Sequence, residues 1–253
     1  MKTQRWIVVA LALAFVRTAA FSAPVTFRAH EDERDHISFT SKATLEKIVG
    51  RVGKSRGEIM VENLDDLSKG KVSAVFEVDL DSVKTGIELR DQHMRETFLE
   101  TAKYPKAIFS LTKVVSSQIV TTDAKGNIAA RAVRGLEPNT PTRLIAEGTL
   151  ELHGKKRPIR VSDLTVTFIP ESDATKMVRK GDLLRVEGAF NIQLADYGIN
   201  RPQMLFMRIA DEVQVNVDVT AGTGEEGNGM TSGACGACDG KKGCDPKKCG
   251  AKK

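Results

Sequence analysis

The chain has 253 residues, with 38 Lys and Arg against 33 Asp and Glu, a formal net charge of +5, and only two Tyr and one Trp. Its cations are interleaved with anions, and part of the excess lies near the two ends of the chain. No stripe of basic residues with base-stacking aromatics is present, which excludes a nucleic-acid-binding surface.

In chain order, Lys2 and Arg5 precede an apolar run over residues 6–16, followed by small residues to position 23. This is the order of a secretory signal peptide, and the run is too short for a membrane span. Cleavage after Ser22 places Ala20 and Ser22 at the small-residue positions, with Arg17 interrupting the transition. No Cys follows the run to accept a lipid. The expectation is a periplasmic or secreted protein with no transmembrane anchor after cleavage. It has signal peptide 1–22, one domain over 23–221 and a tail over 222–253.

Residues 25–36 are charged, and strand character begins at 37. A weakly alternating segment, 43–60, contains Gly50, Gly53 and Gly57, which permit bends in a curled sheet. After a turn at 64–70 comes the cleanest strand, 71–80, with Val72, Ala74, Phe76, Val78 and Leu80 on one face. Residues 89–104 change character. Met94, Phe98 and Ala102 recur at helical spacing, and Thr97 with Glu100 forms a capping-box pattern that predicts a second helical turn. Pro105 is expected to end it. Alternation returns at 107–113, and a polar region runs from 116 to 142, with a turn at 123–127. Further strands are expected at 143–153, 159–169, 184–194 and 209–219. They are joined by a tight basic connection at 154–158 and a loop at 195–202.

About eight alternating segments without alternating helices define an all-β, antiparallel barrel or sandwich. Inward candidates Ala74, Ala146, Gly148 and Gly188 are small and lie beside Phe76, Phe109 and Phe190. Such a face fits either a ligand cavity or a tapered, filled core.

Three groups of residues then resemble one family together. They are Thr85, Gly86, Arg90, Asp91, His93, Met94, Phe98, Lys103, Tyr104, Pro105 and Phe109; Gly148, Thr149, Leu150, Leu152, Gly154 and Pro158; and Phe190, Asp196, Tyr197 and Gly198. Their order and spacing over residues 37–219 resemble the YceI-like family. The resemblance implies an extended lipocalin-like antiparallel β-barrel of about eight strands, with a short helical crossover near residues 90–104. Its channel would hold a polyisoprenoid, such as a quinone- or polyprenyl-like lipid, and would require no metal and no catalytic residue. Candidate lining residues are Phe76, Val78, Met94, Phe98, Phe109, Leu150, Phe190 and Ile192. Arg90 and His93 are candidates for a polar head group, or for structural roles: Arg90 paired with a carboxylate, His93 capping or bonding a loop carbonyl.

The tail carries all four cysteines, Cys235, Cys238, Cys244 and Cys249, spaced C-x2-C-x5-C-x4-C. In an exported protein these form two disulfides in one of three pairings, hold Zn or Cu through thiolates, or act as a redox pair. Two functions follow: an exported carrier or store of an isoprenoid lipid, or a metal-binding or thiol-redox protein with the barrel as scaffold. No G-x-S-x-G, H-E-x-x-H or phosphate-loop motif supports an enzyme. Oligomeric state is not encoded in any of these features.

Overall fold

The computed structural model describes residues 23–29, 36–122, 125–177, 179–201 and 209–224. The signal-peptide reading of 1–22 lies outside these residues, as does the four-cysteine segment. The strands are β1 (Val25–Ala29), β2 (His36–Lys42), β3 (Lys47–Arg51), β4 (Ser55–Val61), β5 (Val72–Asp79) and β6 (Lys106–Thr122). They continue with β7 (Ile128–Ala132), β8 (Thr142–Leu152), β9 (Lys155–Ile169), β10 (Leu183–Gln193) and β11 (Glu212–Gly222).

All pairings between strands are antiparallel, in the order β1-β4-β5-β6-β8-β9-β10-β11-β2-β3. β1 and β2 run in sequence along β11, which pairs Gly222 with Arg28 and residues 213–218 with residues 36–41. β4 and β3 pair with β1 and β2 respectively. Each couple therefore forms one bent stave, and the result is a closed eight-stranded barrel. The β3–β4 stave bends between Arg51 and Ser55, within the glycine-spaced, weakly alternating stretch. β1 was not legible, because its five residues alternate too briefly beside a charged run.

The polar region 116–142 is not a loop. β6 continues to Thr122 and forms a hairpin with β7, whose five residues are all exposed. Register shifts at Leu111/Lys113 and Val114/Ser116 let β6 stay paired with β8 while it bends. Polar residues on both faces hide this strand from a period-two search, because Ile119 is the one residue its far end buries. Between β8 and β9, His153 (φ 51°) and Gly154 (φ 71°) form a two-residue turn with both residues left-handed, the geometry that suits a tight hairpin. β11 pairs out to Gly222, and the Thr223 amide donates to Asp182 O at 3.0 Å, so the barrel's chain continues just past the expected boundary at 221.

The crossover is a helix, α1 (Glu88–His93), followed by a single π-turn, Met94–Phe98, in which the Leu99 amide donates to Met94 O at 2.8 Å. The second helical turn expected at Thr97 does not form. Glu100 sits at φ 46°, which ends the helix five residues before Pro105. The α1 segment is held by a buried carboxylate instead of a cap. Asp91 is 6% exposed, and its Oδ1 accepts from the Thr85 amide at 2.8 Å and from the Thr85 hydroxyl. Burial pushes the Asp91 pKa up, but the Thr85 hydrogen bonds with Arg90 and Arg95 outweigh it and leave the group below its ordinary value.

Two outcomes follow. Asp91→Ala should cost about 2–3 kcal/mol in urea unfolding, because it leaves the Thr85 donors unpaired. An unfolded aspartate titrates near 3.9, so a folded value below this stabilises fully above that pH and loses the contribution as pH falls through the folded value. Stability measured from pH 7 to pH 2.5 should therefore drop below about pH 4, and Asp91→Asn should flatten that drop.

Candidate functional site: an apolar bore open at one end

The alternating faces of the staves enclose a cavity of about 640 Å³. Its wall takes Ile37 and Phe39 from β2, Ile48 from β3, Ile59 and Val61 from β4, and residues 72, 74, 76 and 78 from β5. β8 contributes Leu144, Ala146, Leu150 and Leu152, and β11 contributes Val213, Val215 and Val217. Two buried clusters stand at its ends. One, with Phe27, Val61, Leu136, Leu144 and Leu184, closes the far end. There the Leu67 amide donates to Arg134 O and the Leu136 amide to Leu64 O, both at 2.8 Å, joining two loops into a floor. The other cluster, with Leu150, Leu152, Ile192, Tyr197 and Val213, packs Met94 and Phe98 against the barrel.

The wall reaches solvent at one place. Its only exposed members among the described residues are Ile87, Leu89 and His93, around α1. The mouth therefore lies between α1 and the β2–β3 turn. Inward residues such as Phe76, Phe109 and Phe190 retain partial accessibility although they point away from the outer surface. That accessibility faces the bore.

Why the bore is open follows from paired large and small residues. Phe76 lies over Gly57, its partner across β4–β5, and Phe109 lies over Gly148 of β8. A Cβ at position 148 would stand 2.5 Å from Phe109 Cε2. Each ring is thus laid against the wall where a glycine leaves room, and does not project across the axis. Ala74, Ala146 and Gly188 line the cavity directly, whereas Gly148 serves by receiving the ring. The choice between filled core and cavity falls on the cavity.

All ten candidates on the barrel, Phe76, Val78, Arg90, His93, Met94, Phe98, Phe109, Leu150, Phe190 and Ile192, are on the cavity wall. Arg90 is already committed. It donates from Nη1 to Glu46 Oε1 at 2.8 Å and from Nε to the Thr85 hydroxyl at 2.8 Å, tying α1 to the β2–β3 turn. The His93 ring carries no hydrogen bond or ion pair among the described residues, so the loop-carbonyl role does not apply to it. Polar wall residues besides these two are Ser38, Ser41, Glu46, at the α1 end, and Thr85. Glu46 escaped sequence reasoning because nothing local marks a carboxylate that pairs across 44 positions. Ile87 and Leu89 were missed because they precede the helical periodicity, but Val213, Val215 and Val217 could have been taken from their shared strand face.

Beside the mouth, His153 Nδ1 meets Tyr197 O at 3.1 Å and its ring tilts against Tyr104 at 4.5 Å. Its Nε2 is 3.4 Å from Glu100 Oε1, an ion-pair distance without hydrogen-bond geometry. These contacts pin the 100–104 turn to the β8–β9 hairpin. Burial of Tyr197 pushes its hydroxyl pKa up. Among the described residues, no group of three or more His, Cys, Asp or Glu is placed to hold a metal.

A closed antiparallel barrel around an apolar bore, with Ile87, Leu89 and His93 exposed at its opening, is an architecture that can hold an apolar ligand. The chain belongs to the YceI-like family, whose YceI-like domain matches residues 29–221. Among solved structures, it is similar to a polyisoprenoid binding domain from Saccharophagus degradans implicated in plant cell wall breakdown. The two share 19% identity, with 78% of this chain and 98% of that one covered and a TM-score of 0.54. It is also similar to BcnA of Burkholderia cenocepacia, at 17% identity, with 74% and 96% covered and a TM-score of 0.51. Among curated proteins, none matches.

An open bore makes a sharp prediction. Ala74→Phe in a packed core should cost about 1–3 kcal/mol. Here the new ring enters free space, so thermal unfolding should change by less than about 1 kcal/mol while uptake of apolar ligands is lost.

Proposed function

We propose that this is an exported binding protein that holds an isoprenoid lipid in the barrel, tail inward, for carriage or sequestration. The observation that carries the reading is the bore itself: an apolar wall with its charged side chains gathered at one end. Its volume of about 640 Å³ suits a single extended apolar ligand. Burial is non-directional and contributes roughly 3–4 kcal/mol per five-carbon prenyl unit before ordering costs. The site is therefore a lining, made by Phe76, Val78, Met94, Phe98, Phe109, Leu150, Phe190 and Ile192. His93, with an unengaged ring at the mouth, offers the polar contact to a quinone carbonyl or a phosphate. Arg90 positions α1 through Glu46 and Thr85. The fold shared with a domain described as polyisoprenoid binding supports the same class of cargo. The apolar run and small residues before position 23 support export to the periplasm.

The test is native mass spectrometry of the protein isolated from its own periplasm, followed by organic extraction and lipid identification. One isoprenoid per barrel is expected, retained when residues 225–253 are removed and absent from Ala74→Phe. An empty barrel, or a polar adduct, would overturn the reading. Metal retained by the full chain and lost with residues 225–253, beside an empty barrel, would instead make Cys235, Cys238, Cys244 and Cys249 the functional centre.

A further inference from the structure

We infer that the mouth end of the barrel docks on an anionic lipid bilayer, with the β2–β3 turn and the start of α1 as the contact. This rests on the proposed isoprenoid cargo for its purpose, but on separate observations for its surface. Among the described residues the large exposed hydrophobics are Leu45, Val49, Val75, Ile87, Leu89, Val115, Ile128 and Met177. Val75, Val115, Ile128 and Met177 are scattered over other elements, whereas Leu45, Val49, Ile87 and Leu89 gather at the mouth. Leu45 is 66% exposed and Leu89 62%, the two standing on either side of the Arg90–Glu46 pair that joins their segments. Val49 lines a shallow outer depression with Arg51, Lys84 and Gly86, which brings it to the approach of Ile87.

The charges beside this apolar group are arranged against folding and toward an external anion. Lys42 stands directly opposite Lys47 across β2–β3, and Arg51 opposite Lys84. Like charges in direct cross-strand register destabilise a sheet. No carboxylate pairs with any of the four among the described residues. The outward alternation of β3 places Lys47, Val49 and Arg51 on the same face. Lysines on a strand with a free edge guard against edge pairing, which accounts for Lys47 alone and not for the apolar residues set among the cations. Glu88 is an exposed carboxylate in the patch, Glu46 is taken by Arg90, and Glu212, one residue along β11 from the partner of Ser41, accepts from Asn191. Apolar side chains flanked by unpaired cations around an opening match the boundary of an anionic bilayer, where the apolar groups enter the headgroup region and the cations meet the phosphates. Docked in this way, the mouth passes an apolar tail between bilayer and bore without exposing it to water.

The test is co-flotation of the mature full chain with vesicles of phosphatidylglycerol and phosphatidylethanolamine, and with vesicles of phosphatidylcholine alone. Loading of a prenylquinone from cyclodextrin, without vesicles, is measured in parallel. The expected result is flotation with the anionic vesicles, little with the neutral ones, and release at high salt. Lys42→Glu with Lys47→Glu should lower anionic-vesicle binding at least about tenfold. Leu45→Ser should lower it several-fold. Neither site lines the bore, so cyclodextrin loading should be unchanged in both. Absence of wild-type flotation, or equal flotation of wild type and variants, would overturn the docking surface. Loading without flotation removes docking and leaves the cargo standing, whereas flotation without loading removes the cargo and leaves docking standing.

Discussion

Closure of the hydrogen-bond ladder is the constraint on which the rest depends. Because β1 and β2 pair along β11, the sheet returns on itself, with β3 keeping a free edge beyond its pairing with β2. A closed sheet presents side chains and no unpaired backbone polar groups to its interior. The interior can then be apolar over its length and still remain open, provided the side chains do not meet across it. The laying of Phe76 over Gly57 and Phe109 over Gly148 meets that condition. Small side chains at Ala74, Ala146 and Gly188 complete it.

A bore of this kind needs one end sealed and one end held ajar, and the two ends use different physics. The far end is apolar packing around Phe27 and Phe168, whose rings meet edge-on at 6.3 Å, with Leu67 and Leu136 brought together by backbone hydrogen bonds. The mouth exposes Ile87 and Leu89 but is held by polar ties. Asp91 holds Thr85, Thr85 accepts from Arg90, and Arg90 reaches Glu46 on the β2–β3 turn. This chain fixes the separation of α1 from the turn through directional bonds, where packing alone would pull apolar residues together and close the opening. A buried carboxylate with its donors supplied is worth that role, since removing either side strands the other.

Much of the barrel was legible where inward faces obey period two, the shifts in β6 and β9 excepted. The stretches around β5, β8, β10 and β11 show their inward residues plainly, and each of those faces meets the bore. The family's spacing marked α1 and the residues around it. What the sequence concealed has physical causes. β7 is exposed along its whole length and the far end of β6 buries only Ile119, so little imposes alternation on them. The helix at 88–93 runs into a π-turn at 94–98 and stops at a left-handed Glu100, against the capping pattern of Thr97, because the 100–104 turn is pinned by Tyr104 and His153 instead. The Arg90–Glu46 tie is a tertiary fact spanning 44 positions. Openness of the bore could not be inferred from small residues alone, since the deciding feature is which ring lies over which glycine.

The measurement that bears most directly on the central claim is calorimetric affinity for a series of prenylquinones with one head group and increasing numbers of isoprene units. If the bore holds the tail, affinity rises with each added unit while free length remains and becomes constant once the bore is filled. Affinity independent of tail length, or strongest for the head group with no tail, would contradict the account.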